Sequence, residues 1–351
     1  MKIKIIKKIL KVISVNLFIF ILFVIIFEIF FGYYFKNNNF GYIMRSERQK
    51  DQIYEVIHND KKYIYNYKRN FYGFRGKEID PSEIKIVFEG GSTGNQKFTP
   101  EEITIVGLLN SKLKNLNEKL EIINASTDGK TTRGYVNDFI YWFSKLDNFK
   151  PEFIIFYTGI NDSYFNQDIK FDTPWREDYF SRIKDYMKNN SKVVELLKKV
   201  KFKYFNDDIR KEYSITKIKE NLYKNYRYMN YQDAFKLHNY YKNLHKNYKN
   251  DKLVKQFNQR LNLLKKQINK YSFTPIFITQ VEYNGLKKTN LFKINETLKK
   301  FCLENNYPII KLDELINDMP LNSFYDGMHT TPKGNKIISD TIFPKLKEII
   351  F

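Results

Sequence analysis

The feature that most constrains the fold is a repeated alternation of a short apolar segment, a polar loop and a helical segment. Five nearly continuous apolar segments of this kind occur, at residues 84–88, 121–125, 153–157, 274–279 and 307–312. Such segments are typical of buried parallel strands. Helical patterns accompany them at residues 100–120, 291–305 and 332–350. The alternation predicts an α/β fold, a three-layer α/β/α sandwich built on a parallel sheet.

Residue types that catalyse acyl transfer follow the predicted strands in order. Ser92 lies just beyond the first strand, Gly129 in the loop after the second, and Asn161 after the third. Asp326 and His329 share a short loop before the last helix. Because ligands bind at the carboxyl ends of parallel strands, we expect these residues to converge there. Each pattern alone also occurs in ordinary turns and helix caps, but their shared order favours a catalytic set.

Four sequence blocks around these residues resemble those of the SGNH (GDSL-type) hydrolases. The blocks are residues 90–93, 124–132, 159–162 and 326–329, and the resemblance covers about residues 70–350. Residues 72–76 also resemble a lead-in seen in membrane-anchored bacterial members. The first block departs from the family in two ways. Gly91 stands where many members carry Asp, and Gly94 comes one place earlier than the usual glycine.

This resemblance implies a serine-dependent enzyme that needs no metal and no diffusible cofactor. Ser92 would be the nucleophile, His329 its base, and Asp326 the acid that orients the imidazole. The backbone N–H groups of Ser92 and Gly129 and the side-chain amide of Asn161 would stabilise the oxyanion.

The N-terminus has the composition of a membrane anchor. Five lysines between positions 2 and 11 precede an apolar run over residues 12–35. As a helix this run is about 36 Å long, enough to span a hydrocarbon core of roughly 30 Å. The lysines favour a cytoplasmic N-terminus and an extracytoplasmic catalytic domain. The alternative is a cleaved signal peptide, although the bulky residues 30–34 lack the small residues of a cleavage site.

The chain is therefore predicted to have three parts. Residues 1–35 form the Lys-rich cytoplasmic end and the transmembrane anchor, and residues 36–80 form a stalk and lead-in without clear periodicity. Residues 81–351 form the hydrolase domain. Within it, residues 164–271 are rich in Lys, Tyr and Asn, and they are predicted to be a helical insertion.

The formal net charge of +21 raises the question of nucleic-acid binding. The lysines are spread along the whole chain and no nucleic-acid motif accompanies them, so we do not expect that partner. Residues 129–131 imitate part of a phosphate-binding loop, but Asn124 stands where that motif requires its first glycine. The basic surface would favour anionic lipid headgroups or an acidic glycan. The single cysteine, Cys302, excludes an internal disulfide.

The favoured activity is serine-dependent hydrolysis or transfer of an ester-linked acyl group. By the resemblance, the substrate would be an acylated, for example O-acetylated, cell-surface glycan. A lipase or thioesterase of the same family is a second interpretation. A catalytically inactive scaffold that binds an anionic glycan is a third, from a different functional class.

Overall fold

The structure is a computed structural model that describes residues 2–35, 51–58, 61–117, 120–164, 179–205, 212–214, 226–244, 252–285 and 289–351. Its strands are β1 Asp51–His58, β2 Lys61–Lys68, β3 Ile86–Gly90, β4 Ile122–Asn124, β5 Phe153–Tyr157, β6 Glu212–Ser214, β7 Tyr226–Tyr228, β8 Thr274–Ile278, β9 Tyr283–Gly285 and β10 Ile309–Ile310. Its helices are α1 Lys2–Phe31, α2 Ser92–Asn95, α3 Ile105–Lys114, α4 Thr132–Tyr141, α5 Ile160–Tyr164, α6 Tyr179–Asn190, α7 Lys192–Phe205, α8 Tyr231–Leu244, α9 Lys252–Ile268, α10 Asn290–Asn305, α11 Leu312–Leu315 and α12 Pro332–Ile350.

The centre of the fold is a five-stranded parallel sheet in the order β10-β8-β5-β3-β4. Alternate residues of each strand point into two separate apolar cores. One core lies under α4, α9 and α10 and includes Val87, Ile154 and Phe277. The other lies under α3 and α12 and includes Ile86 and Ile155. The predicted three-layer α/β/α sandwich is therefore confirmed.

The predicted strands agree with the structure best where the chain is buried on both faces. β5 has the predicted bounds, whereas β3 begins two residues later because a 3-10 turn at Pro81–Glu83 precedes it. The predicted helix over residues 100–120 is wrong in its extent. A 3-10 turn, Glu101–Ile103, comes first, and the Thr104 side chain then caps α3 by accepting a hydrogen bond from the backbone of Gly107. The N-cap of α3 is the signal that sequence periodicity missed.

The lead-in before the sheet contains regular structure that the sequence analysis did not predict. Strands β1 and β2 form an antiparallel hairpin, while residues 36–50 of the predicted stalk lie outside the described residues. Two buried arginines follow the hairpin. Arg69 donates to the backbone carbonyl of Ser126, and Arg75 donates to those of Asn95 and Thr99. The lead-in therefore braces the loops that follow β3 and β4.

The predicted insertion is largely helical in its described part, with α6, α7 and α8, and it also holds the short strands β6 and β7. Residues 165–178, 206–211, 215–225 and 245–251 of it lie outside the described residues. The sequence analysis also assigned α9 to this insertion. In the structure, Phe257, Leu261 and Leu264 of α9 are fully buried in the core of the sandwich. The division of the chain into anchor, lead-in and domain stays a prediction.

Helix α1 is long and apolar enough, over Lys7–Phe31, to cross a membrane. Over Lys7–Phe31 the side chains are almost all exposed in the protein itself, in contrast to the buried apolar faces of α9 and α10. A core helix of a soluble protein would bury such a surface against its own chain.

Candidate active site

Ser92 stands where β3 ends, between its two neighbours β4 and β5. The chain runs outward to both sides of the sheet from this strand, and ligands bind at such a switch point in open α/β sheets. Ser92 is the first residue of the one-turn helix α2, so its backbone N–H has no intrahelical acceptor. A Cβ at the preceding Gly91 would lie 2.3 Å from Nδ2 of Asn161. Glycine at position 91 therefore allows the Asn161 amide to approach the backbone beside Ser92.

The loop between α11 and α12 brings Asp326 and His329 to Ser92. The Ser92 Oγ lies 2.7 Å from Nε2 of His329, although 237 positions separate the two residues in the sequence. The Nδ1 of the same ring lies 2.7 Å from Oδ2 of Asp326. The other Asp326 oxygen accepts the backbone N–H groups of Met328 and His329 at 2.8 and 2.7 Å. A serine, a histidine and an aspartate are thus joined in one hydrogen-bonded chain.

The tautomer of the His329 imidazole follows from the ionisation of Asp326. Burial alone would raise the pKa of Asp326, but the hydrogen bonds from His329 and from the backbone N–H of Met328 outweigh it and lower that pKa. An ionised carboxylate only accepts hydrogen bonds, so Nδ1 of the imidazole carries the proton. In the neutral ring Nε2 is then an acceptor, and the Ser92 hydroxyl donates to it. The ring is held in the tautomer that a general base for Ser92 requires.

The loops that carry Ser92 and His329 are tied together by the side chain of Gln96. This residue, at φ +47°, ends α2. Its amide N–H₂ donates to Thr330 Oγ1 at 3.1 Å and also to Oδ1 of Asn335, and its carbonyl accepts the backbone N–H of Ile105 at 2.7 Å. All of these groups are buried. The Gln96 amide therefore fixes the distance between the two halves of the site.

Gln280 is a second linking residue, and the sequence analysis missed it. Its Nε2 donates to Thr93 Oγ1 at 2.9 Å, and its Oε1 accepts the backbone N–H of Ile160 at 2.7 Å. It thereby joins the residue after the serine to the residue before Asn161. The available signal was its position two residues after β8, at the same carboxyl edge of the sheet.

Asn161 and Gly129 are both adjacent to Lys130. Nδ2 of Asn161 donates one hydrogen bond to the backbone carbonyl of Lys130, at 2.8 Å. Gly129 precedes that residue and has φ +75°, a conformation that favours glycine. The structure thus brings the second and third sequence blocks together next to the first.

Lys130 itself is fully buried in a cluster with two carboxyl groups. Its ammonium donates to Glu89 at 2.9 Å, to the backbone carbonyl of Ala125 at 3.0 Å, and to Asp138. Burial raises the pKa of Glu89 well above its usual range; the Lys130 charge opposes this shift and Asp138 adds to it. We therefore assign a proton to Glu89, which leaves one lysine cation facing one carboxylate. The lysine that imitates a phosphate-binding motif is instead an internal support of the Asn161 contact.

One wall of the site is aromatic. The ring of Tyr325 stacks on that of His329, with centroids 5.5 Å apart and planes at 9°. His58, from the end of β1, lies 5.6 Å from the same tyrosine ring, and its Nε2 lies 2.7 Å from the carbonyl of Phe98. Burial lowers the pKa of His58, although its hydrogen bond to Phe98 acts in the opposite direction. The unpredicted hairpin therefore contributes a neutral, buried histidine behind the triad.

The sheet order and its ligand-binding edge define an α/β/α protein of the flavodoxin-like type. The family model of the GDSL-like lipase/acylhydrolases matches residues 71–342, and the chain belongs to this family of hydrolases. Comparison with curated proteins gave no match.

Several solved structures are similar to this chain at low sequence identity. The lipase/acylhydrolase from Enterococcus faecalis is 13% identical, with a TM-score of 0.43 and coverage of 76% of this chain and 96% of that one. The psychrotrophic esterase EstA from Pseudoalteromonas sp., inhibited by monoethylphosphonate, is 13% identical, with a TM-score of 0.41 and coverage of 76% and 98%. TesA is 11% identical, with a TM-score of 0.41 and coverage of 75% and 98%.

The buried cluster predicts opposite effects for two neutral substitutions. Lys130→Met leaves a buried carboxylate without its cation and should lower the free energy of unfolding by about 3–5 kcal/mol.

Glu89→Gln removes a carboxyl group whose pKa in the folded protein is raised. Above the unfolded pKa of about 4.3, the native protein must hold a proton that the unfolded chain releases, so this contribution to stability falls as pH rises. Glu89→Gln should therefore gain stability relative to wild type by about 1.4 kcal/mol per pH unit, until the folded pKa is reached.

The measurement is guanidinium unfolding of the detergent-solubilised full chain at pH 5 and pH 8. Glu102→Gln, at an exposed position of the 3-10 turn before α3, is a suitable control for removal of a carboxyl group. A Glu89→Gln variant whose stability relative to wild type is the same at both pH values would contradict the assignment of the proton.

Proposed function

We propose that the protein transfers an ester-linked acyl group through a covalent intermediate on Ser92. The observation that carries the proposal is the chain of two 2.7 Å contacts from the Ser92 hydroxyl through His329 to Asp326. This arrangement matches the geometry of serine nucleophiles activated by a histidine base. The family membership supports an ester hydrolase, and the acyltransferase activity is the finer part of the proposal.

The chemistry proceeds in two halves. In the first half, Nε2 of His329 takes the Ser92 proton as Oγ bonds to the ester carbonyl carbon. The tetrahedral intermediate collapses, the bond to the leaving alkoxide breaks, and the imidazolium returns the proton to that oxygen. In the second half, water or a second hydroxyl repeats the attack on the acyl-serine and regenerates Ser92. The acceptor that reaches the acyl-enzyme decides between hydrolysis and transfer.

The developing negative charge needs donors beside the serine. We assign this role to the backbone N–H groups of Ser92 and Gly129 and to the Asn161 amide. The Nδ2 of Asn161 gives one hydrogen to the Lys130 carbonyl, which leaves its second hydrogen for the oxyanion. Removing one donor from a comparable oxyanion hole costs about 3 kcal/mol of transition-state stabilisation.

The proposed setting is the outer face of a membrane. The apolar span of α1 and the lysines before it favour an anchored protein with a cytoplasmic N-terminus. The catalytic domain would then face acylated cell-surface glycans, and O-acetyl groups on such a glycan are the proposed substrate. The resemblance to membrane-anchored members around residues 72–76 supports this choice.

A cavity lies at the carboxyl end of β8, two strands away from β3 and Ser92 in the sheet, and we propose that it takes part of the substrate. Gln280, which donates to Thr93, lines it together with Val281 and the insertion residues Tyr228 and Tyr231. Its wall is mainly apolar and aromatic, with Glu282 and Asp313 among its polar residues. We propose that this cavity, which the insertion helps to build, selects the group attached to the scissile ester.

Esterase activity toward p-nitrophenyl esters of increasing acyl length tests the proposal. The full-length wild type should hydrolyse at least the acetyl ester, whereas Ser92→Ala and His329→Ala should each lose activity by at least 10³-fold. Ser144→Ala changes an exposed serine whose hydroxyl donates to the backbone carbonyl of Ile140 at the end of α4, and it should keep full activity. Equal rates for wild type, Ser92→Ala and His329→Ala would reject the enzyme in favour of a glycan-binding scaffold.

The aspartate has a separate test in Asp326→Asn. The asparagine oxygen can still accept the backbone N–H groups of Met328 and His329, but its amide nitrogen would face Nδ1 of the imidazole. The ring would then prefer the wrong tautomer, and kcat should fall by about 10⁴ with little change in KM. Circular dichroism and thermal unfolding provide the check on folding. A folded Asp326→Asn enzyme with wild-type kcat would show that Asp326 does not orient the base.

A further inference from the structure

The carboxyl end of α1 is attached to the insertion by a partly buried carboxylate. Glu28, the acidic residue within the apolar span, accepts hydrogen bonds from Ser191 Oγ at 2.5 Å and from the backbone N–H groups of Lys192 and Val193 at 3.0 and 2.9 Å. These N–H groups open α7, and a negative charge is favourable at a helix N-terminus. Glu28 therefore caps a helix more than 160 residues away in the sequence.

The residues that follow α1 extend this attachment. The backbone N–H of Tyr33 donates to the carbonyl of Asn190 at 2.8 Å, and its hydroxyl donates to Glu195 at 3.1 Å. The Tyr34 hydroxyl donates to the carbonyl of Met187 at 3.3 Å. Tyrosines at the end of a membrane span belong at the level of the lipid headgroups. The turn between α6 and α7 is therefore held at the same level.

Both helices of this pair expose apolar residues at helical spacing. On α6, Ile183 and Met187 lie four residues apart, with exposed fractions of 40% and 56%. On α7, Leu196, Leu197 and Val200 form a similar stripe, with exposed fractions of 41%, 61% and 47%. Phe180 near the start of α6 is 81% exposed. Stripes of this kind lie against a partner in a soluble domain or against acyl chains in an interfacial helix.

The composition of the pair identifies its partner. Residues 179–205 contain eight Lys or Arg and two Asp or Glu. A basic helix with an apolar stripe is typical of binding to an anionic bilayer surface, where each basic residue near the surface contributes about 1 kcal/mol. The attachment to α1 adds an independent argument, because a helix that spans the membrane would hold the pair where the lipid headgroups are.

We propose that α6 and α7 form an interfacial membrane-binding pair. Their apolar stripes enter the leaflet at the carboxyl end of α1, their basic residues contact anionic headgroups, and Glu28 fixes them to the membrane-spanning helix. This inference depends on α1 crossing a bilayer and is independent of the catalytic proposal. It gives the insertion a second task, which is to fix part of the domain to the membrane surface.

Lipid contact is measured directly with a fluorophore on single cysteines. The full-length protein with Cys302→Ala is reconstituted into vesicles of phosphatidylcholine with phosphatidylglycerol, and bimane is attached at Leu197→Cys or Phe180→Cys. Leu303→Cys is the matched control, since Leu303 is 80% exposed on α10, outside the pair. Lipids that carry a nitroxide on the acyl chain should quench the labels at 197 and 180 at least twofold more than the label at 303.

Two further measurements test the contribution of anionic headgroups and that of Glu28 to lipid contact. Quenching at 197 should fall in vesicles of phosphatidylcholine alone, and unchanged quenching there would overturn the contact with anionic headgroups. Glu28→Ala should reduce quenching at 197, whereas Asn16→Ala, another polar position of α1, should leave it unchanged. Equal quenching at 197, 180 and 303 would overturn the proposal. Protection of position 197 from aqueous iodide without quenching by lipid would also overturn it, and would identify a protein surface over the stripe instead.

Discussion

The contact between Ser92 and His329 depends on one buried side chain, that of Gln96. Its amide N–H₂ donates to Thr330 in the loop before α12, and its carbonyl oxygen accepts the backbone N–H of Ile105 at the start of α3. A buried amide group that is left without hydrogen-bond partners destabilises the folded protein. The observed arrangement is therefore strongly preferred over any in which the two loops separate. The triad is therefore a consequence of packing between α2, α3 and α12.

Beneath the site, buried charge is balanced locally. The Lys130 cluster supports the carbonyl that accepts from Asn161, and Asp162, the next residue, accepts from Arg260 of α9 at 2.8 Å and from the backbone and hydroxyl of Thr132. Such pairs contribute little net stability compared with apolar packing, but breaking one of them costs several kcal/mol. Their effect here is geometric, since each pair holds a loop at the carboxyl edge of the sheet in one position.

The sequence predicted the sandwich because its strands are buried on both faces and read as apolar runs, as β5 shows. It also located Ser92, Asp326 and His329, because they fall, in the same order, in sequence blocks that resemble those of the SGNH hydrolases. It did not predict the β1–β2 hairpin, whose many polar and charged residues resemble those of a linker. It also did not predict the role of α9, in which four lysines accompany the apolar residues. The linking residues Gln96 and Gln280 were invisible because their function depends on partners more than 180 positions away.

The central claim is that the Ser92 hydroxyl is the activated nucleophile, and a fluorophosphonate probe tests it most directly. Displacement of fluoride by Oγ leaves a stable phosphonyl ester, which intact-mass measurement counts and peptide mapping locates. One adduct per chain is expected, on the peptide that contains Ser92, and it should be lost in His329→Ala. An adduct on a different serine, or equal labelling of the wild type and His329→Ala, would contradict it.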